Sequence, residues 1–150
     1  MQIKRVGVIG AGTMGNGIAQ VFAQSGFEVR VCDAIPAALE RARTNIEKSL
    51  AKFVEKGLIA APDRDATLGR VSFGGSLDAL ADTDYVVEAI AESLDAKIDV
   101  FKQLDALVKP HVILSSNTSS ISITVLGAAT KRSRSRWLPS SGSSESTPRR

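Results

Sequence analysis

The amino-acid sequence predicts an α/β fold, a doubly wound parallel sheet, and three observations carry that prediction. Short β-branched runs alternate with longer helical patterns from residue 1 to about residue 130, as stacked layers of strand and helix require. The first run, Ile3–Ile9, is apolar on both faces once past Lys4 and Arg5, the mark of a strand covered on both sides. That run leads straight into Gly10-Ala11-Gly12-Thr13-Met14-Gly15, a glycine-rich turn placed to open a helix.

The remaining elements follow in order. A helix is expected from about Thr13 to Ser25, with Met14, Ile18, Val21 and Phe22 as its apolar stripe and Gly26 as a left-handed stop. Phe27–Asp33 reads as the second strand, and about Ile35 to Lys56 as a long helix ended by Gly57. A short helix near Pro62–Leu68 precedes a weak strand at Val71–Phe73, and Gly74-Gly75 turns into a short helix at Ser76–Leu80. Tyr85–Glu88 is the fourth strand. A helix from about Ser93 to Val108 stops before Pro110, and Val112–Ser115 is the fifth strand. The expected strand order is 3-2-1-4-5, with the carboxyl-terminal part of the fold incomplete.

Composition narrows the function classes. A hydrophobic fraction of 43% suits an ordinary globular domain, and no uncharged apolar stretch is long enough to span a membrane. The start of the chain lacks the features of a secretion signal. One cysteine, Cys32, and one histidine, His111, exclude a disulfide framework and make a zinc site improbable, and they fit a cytoplasmic protein. The net charge of +3 belongs to the tail. Residues 131–150 hold six basic residues against Glu145, which leaves 13 Lys and Arg against 15 Asp and Glu in residues 1–130. A nucleic-acid partner is therefore not expected for the folded part. The tail has seven serines and only Trp137 and Leu138 as large apolar residues, so residues 131–150 are expected to be a disordered basic Ser/Arg-rich tail following a domain of residues 1–130.

The glycine turn carries the first chemical inference. In a G-x-G-x-x-G motif between strand and helix, the first glycine permits the tight turn. The second lets backbone approach a diphosphate, and the third lets the helix pack on the strand. The helix N-terminus then supplies free N–H groups and a positive dipole end. Asp33 closes the second strand where an acid accepts from the adenosine ribose hydroxyls and repels a 2′-phosphate, so the pattern points to a Rossmann-like domain binding NAD in preference to NADP. Two further stretches lie at the carboxyl edge of the sheet, where ligands sit in such folds. They are Val86-Val87-Glu88-Ala89-Ile90-Ala91-Glu92-Ser93-Leu94-Asp95-Ala96-Lys97 and Ser115-Ser116-Asn117-Thr118-Ser119-Ser120. Read from the residues alone, Glu88 and Glu92 also fit ordinary acids at a helix N-terminus, and Lys97 a solvated helix face. Ser119 and Ser120 also fit a cap for a helix starting near Ser122.

Ile9–Ala19, the Val-Glu-Ala-Ile-Ala-Glu segment with Lys97, and Ser116-Asn117-Thr118-Ser119-Ser120-Ile121-Ser122-Ile123-Thr124 together resemble the 3-hydroxyacyl-CoA dehydrogenases. The resemblance is to the bacterial 3-hydroxybutyryl-CoA type and covers about residues 3–132. It implies an enzyme that moves hydride between C3 of a 3-hydroxyacyl-CoA and C4 of the nicotinamide of NAD. It implies that the loop Gly10, Ala11, Gly12, Thr13, Met14 and Gly15 binds NAD together with Asp33. Ala89, Glu92 and Lys97 would line the nicotinamide side. Ser119 would hydrogen-bond the substrate's 3-oxygen, and Asn117 would shape the nicotinamide and acyl pocket. An acyl-CoA substrate and, in the full-length family, a homodimer are implied as well.

Alcohol oxidation needs a base for the hydroxyl proton. In this family the resemblance implies a histidine after a sixth strand, in a His-Phe-Phe-Asn-Pro-like segment about 20 residues beyond Ser119, oriented by a glutamate. Here the stretch reads Ser133-Arg134-Ser135-Arg136-Trp137-Leu138-Pro139, with neither the histidine nor a recognisable strand, so the catalytic histidine and glutamate are expected to be absent. His111 falls at the opposite edge of the sheet and is not expected to be the base. The change of texture after Arg132 suggests a truncated or frameshifted product that turns over little, with a stand-alone NAD-binding module or a nonfunctional fragment as the alternatives.

Overall fold

The computed structural model describes residues 3–90, 93–116 and 137–139. In chain order its strands and helices are β1 (Arg5–Ile9), α1 (Thr13–Gln24), β2 (Glu28–Cys32), α2 (Pro36–Glu55), α3 (Ala61–Gly69), β3 (Val71–Gly74), β4 (Tyr85–Glu88), α4 (Leu94–Leu107), β5 (Ile113–Ser116) and β6 (Trp137–Pro139). Leu77–Leu80 is a single 3₁₀ turn; four residues capped by Ser76 are too few to close a regular α-helix. The strands form one sheet in the order β3-β2-β1-β4-β5-β6, and every pairing is parallel. The expected order 3-2-1-4-5 stands inside it, and the fold is Rossmann-like.

Period-two alternation along the strands feeds two separate cores. Val6, Val8, Val29 and Val31 point to one face and pack with Ala19, Ala23, Ala38, Ala42, Ile46 and Leu50 of α1 and α2. Ile9, Cys32, Val86 and Leu114 point to the other and pack with Leu80 and with Phe101 and Leu104 of α4. Gly7 faces this second layer because a Cβ there would lie 2.9 Å from a Leu80 methyl. The sheet is thus covered on both faces, which is why residues 6–9 of β1 and 85–87 of β4 are apolar apart from Gly7.

Two expectations are corrected. The buried stripe of α1 is Gly15, Ala19 and Ala23, whereas Met14 and Val21 are 58% and 62% exposed. Small residues win the inner face because they let the helix lie close on β1. The large apolar residues at Met14 and Val21 are displaced outward, while Ile18 and Phe22 pack only partly. The second correction is β6. Residues 137–139 pair with β5 in the register Leu114↔Trp137, Ser115↔Leu138 and Ser116↔Pro139, within the segment where no strand was expected. An edge strand of three residues needs only the free backbone groups of its neighbour, and a proline is tolerated there. Nothing in a Ser/Arg-rich composition signals it. The rest of the expected disordered tail lies outside the described residues.

Candidate functional site

The carboxyl rim of the sheet is level across its central strands, where Cys32, Ile9, Glu88 and Ser116 stand side by side in register. Each is followed directly in the sequence by a residue named above, namely Asp33, Gly10, Ala89 and Asn117.

Gly10 leaves β1 at φ +101°, a conformation glycine adopts without penalty. A Cβ there would sit 2.5 Å from the Ala89 carbonyl oxygen, so the loop is pressed against the end of β4. A Cβ on Gly15 would overlap the Gly10 carbonyl, so only glycine allows α1 to start this close to the turn. Gly12 differs. A Cβ there would meet nothing within 4 Å, and as N-cap of α1 it offers no side chain to the helix terminus. The first-turn N–H groups are therefore presented to open space. Uncapped helix termini are stabilised by a ligand or water, and this donor set fits a diphosphate.

Asp33 fixes the loop as well as facing the cleft. Its Oδ2 accepts from Ala11 N–H at 2.8 Å and its Oδ1 from Ile35 N–H at 2.9 Å, and Gly10 N–H donates to the Cys32 carbonyl at 2.8 Å. Each carboxylate oxygen keeps acceptor capacity for a ribose hydroxyl. The cleft beside it, about 510 Å³, is lined by Ile9, Gly10, Asp33, Asp78, Ile90 and Gln103 among others. That volume falls in the range of small-ligand pockets, and two carboxylates on its wall disfavour an added phosphate. Cys32 also borders it; burial first, and then the neighbouring Asp33 charge, push its thiol pKa up, so it is a protonated wall residue rather than a nucleophile.

On the other side of the glycine loop stands a cluster of buried charge. Glu88, the last residue of β4, and Lys97, in the first turns of α4, are both 0% exposed. Lys97 Nζ donates to Glu88 Oε1 and Oε2 at 2.8 and 2.7 Å and to the Ile90 carbonyl at 3.3 Å. Glu88 Oε2 also accepts from Ile90 N–H, and Oε1 from Ser116 Oγ, each at 2.6 Å. α4 is started by Ser93, whose Oγ accepts from Ala96 N–H at 3.4 Å.

The expected site residues therefore divide. Gly10 and Asp33 line one cleft, with Ala11 tied to Asp33 and Ala89 pressed against Gly10, whereas Thr13 and Met14 border a separate pocket with Gly17, Ile18, Val21 and Phe22. Lys97 is neither a solvated face residue nor open to the cleft: its ammonium is enclosed with Glu88. Glu88 is not a helix-terminus acid but a strand residue with four charge-assisted hydrogen bonds. Glu92, Asn117 and Ser119 lie outside the described residues. Glu88 and Ser116 are the residues that sequence reasoning passed over. The available signal was a charge closing the otherwise apolar strand Tyr-Val-Val-Glu, which demands a partner. His111 lies in the turn before β5, at the amino edge, near enough for its charge to help depress the Asp84 pKa. Among the described residues, no group of three or more His, Cys, Asp or Glu could hold a metal, and no helix is long and apolar enough to cross a membrane.

Residues 5–138 match the model of the family described as 3-hydroxyacyl-CoA dehydrogenase, NAD binding domain, so the match runs past Arg132, where the sequence resemblance was expected to end. A probable 3-hydroxybutyryl-CoA dehydrogenase of Deinococcus radiodurans is 55% identical over 129 residues, covering 85% of this chain and 46% of that protein. A probable 3-hydroxybutyryl-CoA dehydrogenase of Bacillus subtilis is 44% identical over 132 residues, covering 88% and 46%. The crystal structure of (S)-3-hydroxybutyryl-CoA dehydrogenase from Ralstonia eutropha superposes with a TM-score of 0.88 at 41% identity, over 92% of this chain and 48% of that one. The chain spans about half the length of the curated relatives it matches.

Proposed function

Because this chain belongs to the family of NAD-binding domains of 3-hydroxyacyl-CoA dehydrogenases, we propose that it holds NAD across the crevice between β1 and β4. The reaction it serves is the oxidation of a short-chain 3-hydroxyacyl-CoA, such as 3-hydroxybutyryl-CoA, to the 3-ketoacyl-CoA. The observation that carries the reading is the uncapped start of α1 at Gly12 beside Asp33, whose carboxylate holds Ala11 N–H and lines an open cleft. Relatives named as 3-hydroxybutyryl-CoA dehydrogenases support the substrate class.

Each residue has a physical task in this proposal. The N–H groups at the start of α1 take the diphosphate, and Asp33 takes the adenosine ribose hydroxyls while repelling a 2′-phosphate. Ala89 and Glu92 line the nicotinamide side, Asn117 shapes the acyl pocket, and Ser119 donates to or accepts from the substrate 3-oxygen. NAD, when bound, supplies the hydride acceptor at its nicotinamide C4. The 3-hydroxyl proton needs a base, and His111 stands at the wrong edge of the sheet. Turnover by this chain is therefore lower by about 10²–10⁴ than with a histidine in reach. Cytoplasmic residence and a homodimer of the longer protein belong to the same proposal.

The test is a titration of the chain with NADH, followed by nicotinamide fluorescence, and an assay of NADH oxidation with acetoacetyl-CoA. NADH binding that Asp33→Ala weakens about tenfold, with slow turnover, is the expected result. Failure of the folded chain to bind NADH overturns the proposal, and equal affinity for NADPH overturns the role given to Asp33.

A further inference from the structure

We infer that Glu88 is a positioning residue for the nicotinamide end of the cofactor site, acting through the tips of β4 and β5 without touching the ligand. The inference rests on the NAD-binding reading above.

The geometry carries it. Glu88 is level with Ile9 and Ser116, the last paired residues of the strands on either side. Its two carboxylate oxygens each accept two hydrogen bonds, which come from three different pieces of chain: Ile90 N–H, Lys97 Nζ and Ser116 Oγ. One side chain therefore joins the loop after β4, the start of α4 and the end of β5. The same loop is also held from β1, because Ala89 N–H donates to the Ile9 carbonyl at 2.8 Å and the Ala89 carbonyl backs onto Gly10. A dinucleotide centred on the glycine loop with its adenosine toward Asp33 must extend its other half over β4 and β5. That is the side Glu88 organises.

Stability alone is a poor account of the cluster. A fully buried ion pair costs most of its Coulomb gain in desolvation, and an apolar pair of similar volume would close the core as well or better. What charge adds here is direction. Of the four short hydrogen bonds, one fixes the Ile90 amide, one the Ser116 hydroxyl and two the Lys97 ammonium.

The experiment compares NADH with ADP-ribose, which keeps the adenosine and diphosphate but lacks nicotinamide. Calorimetric titrations use the 150-residue chain, Glu88→Gln and Ser116→Ala. Glu88→Gln keeps a carbonyl oxygen for Ile90 N–H but loses the charge and the acceptor facing Ser116. NADH binding falls about tenfold or more while ADP-ribose binding changes less than about twofold. Ser116→Ala leaves the ion pair intact and removes only the tie to β5. It weakens NADH about threefold and again spares ADP-ribose. A fault spread through the fold would weaken both ligands together, so the ratio of the two dissociation constants is the deciding quantity. If Glu88→Gln does not fold, as circular dichroism would show, Ser116→Ala decides alone. Equal weakening of the two ligands, or unchanged NADH binding in the folded variants, overturns the inference and leaves the NAD-binding reading standing. A wild-type chain that binds neither ligand overturns both.

Discussion

At the carboxyl rim, two neighbouring regions hold backbone in place by opposite means. Between Gly10 and Gly15 the device is the absence of side chains: the turn works because a Cβ at either end would strike backbone, Ala89 at one end and Gly10 itself at the other. At the ends of β4 and β5 the device is a surplus of side-chain chemistry, with a carboxylate, an ammonium and a hydroxyl all enclosed. The glycine turn tolerates no addition. The ion pair tolerates no one-sided subtraction, because removing one partner leaves the other buried and uncompensated. The two regions touch through Ala89 and Ile90, so they form one continuous support built from two kinds of constraint.

The comparison can be broken most forcefully at Lys97. Lys97→Met strands the Glu88 carboxylate in the core, and a urea melt should show a loss of about 3–5 kcal/mol. The double variant Glu88→Gln with Lys97→Met restores stability to within about 1 kcal/mol of the parent chain. A double variant as unstable as the single one would mean that packing, not charge, holds this region. Gly15→Ala comes next, at about 3 kcal/mol from overpacking against backbone that has nowhere to move. No second substitution in a side chain should rescue it, since its obstacle is a carbonyl, and a melt unchanged to within 0.5 kcal/mol, on the order of an ordinary surface substitution, would remove the steric account. The smallest effect sharpens the contrast with an exposed ionic site. At the amino edge Asp84 accepts from the Arg5 and Lys4 N–H groups at 3.0 and 2.9 Å. Those bonds, the Arg5 one foremost, hold its carboxyl pKa below the usual range. Its contribution is therefore present above the unfolded carboxylate pKa and lost as pH falls through the lower folded value. Screened by solvent, it amounts to less than about 1 kcal/mol. Asp84→Asn should accordingly differ from the parent at pH 7 and converge with it in strong acid; a gap that persists there would assign the effect to something other than ionisation.

The same contrast explains what the sequence could disclose. Glycines at fixed offsets after an apolar strand have one physical use, so the turn, the helix behind it and Asp33 were legible residue by residue. Strand order was legible because right-handed crossovers between parallel strands leave few alternatives. Glu88, Lys97 and Ser116 were not, since an acid, a lysine and a serine each have ordinary places on a helix or loop surface. Only the fold brings residues 88, 97 and 116 to one point. Met14 and Val21 misled for a related reason. Hydrophobicity predicts burial only where there is room, and the closeness of α1 to the sheet reserves its inner face for Gly15, Ala19 and Ala23. The strand Trp137–Pro139 had no signature at all, because edge pairing draws on backbone that every sequence shares.

The division of the core into two layers also orders events in time. Every fully packed member of the first layer, from Val6 to Leu50, has been synthesised before α3 begins. The second layer stays unfinished until Leu114 arrives from β5. During translation the face shared by α1 and α2 can therefore close around β1 and β2 while the opposite face of those strands still waits for α4, so that the nascent domain matures from one side of its sheet to the other.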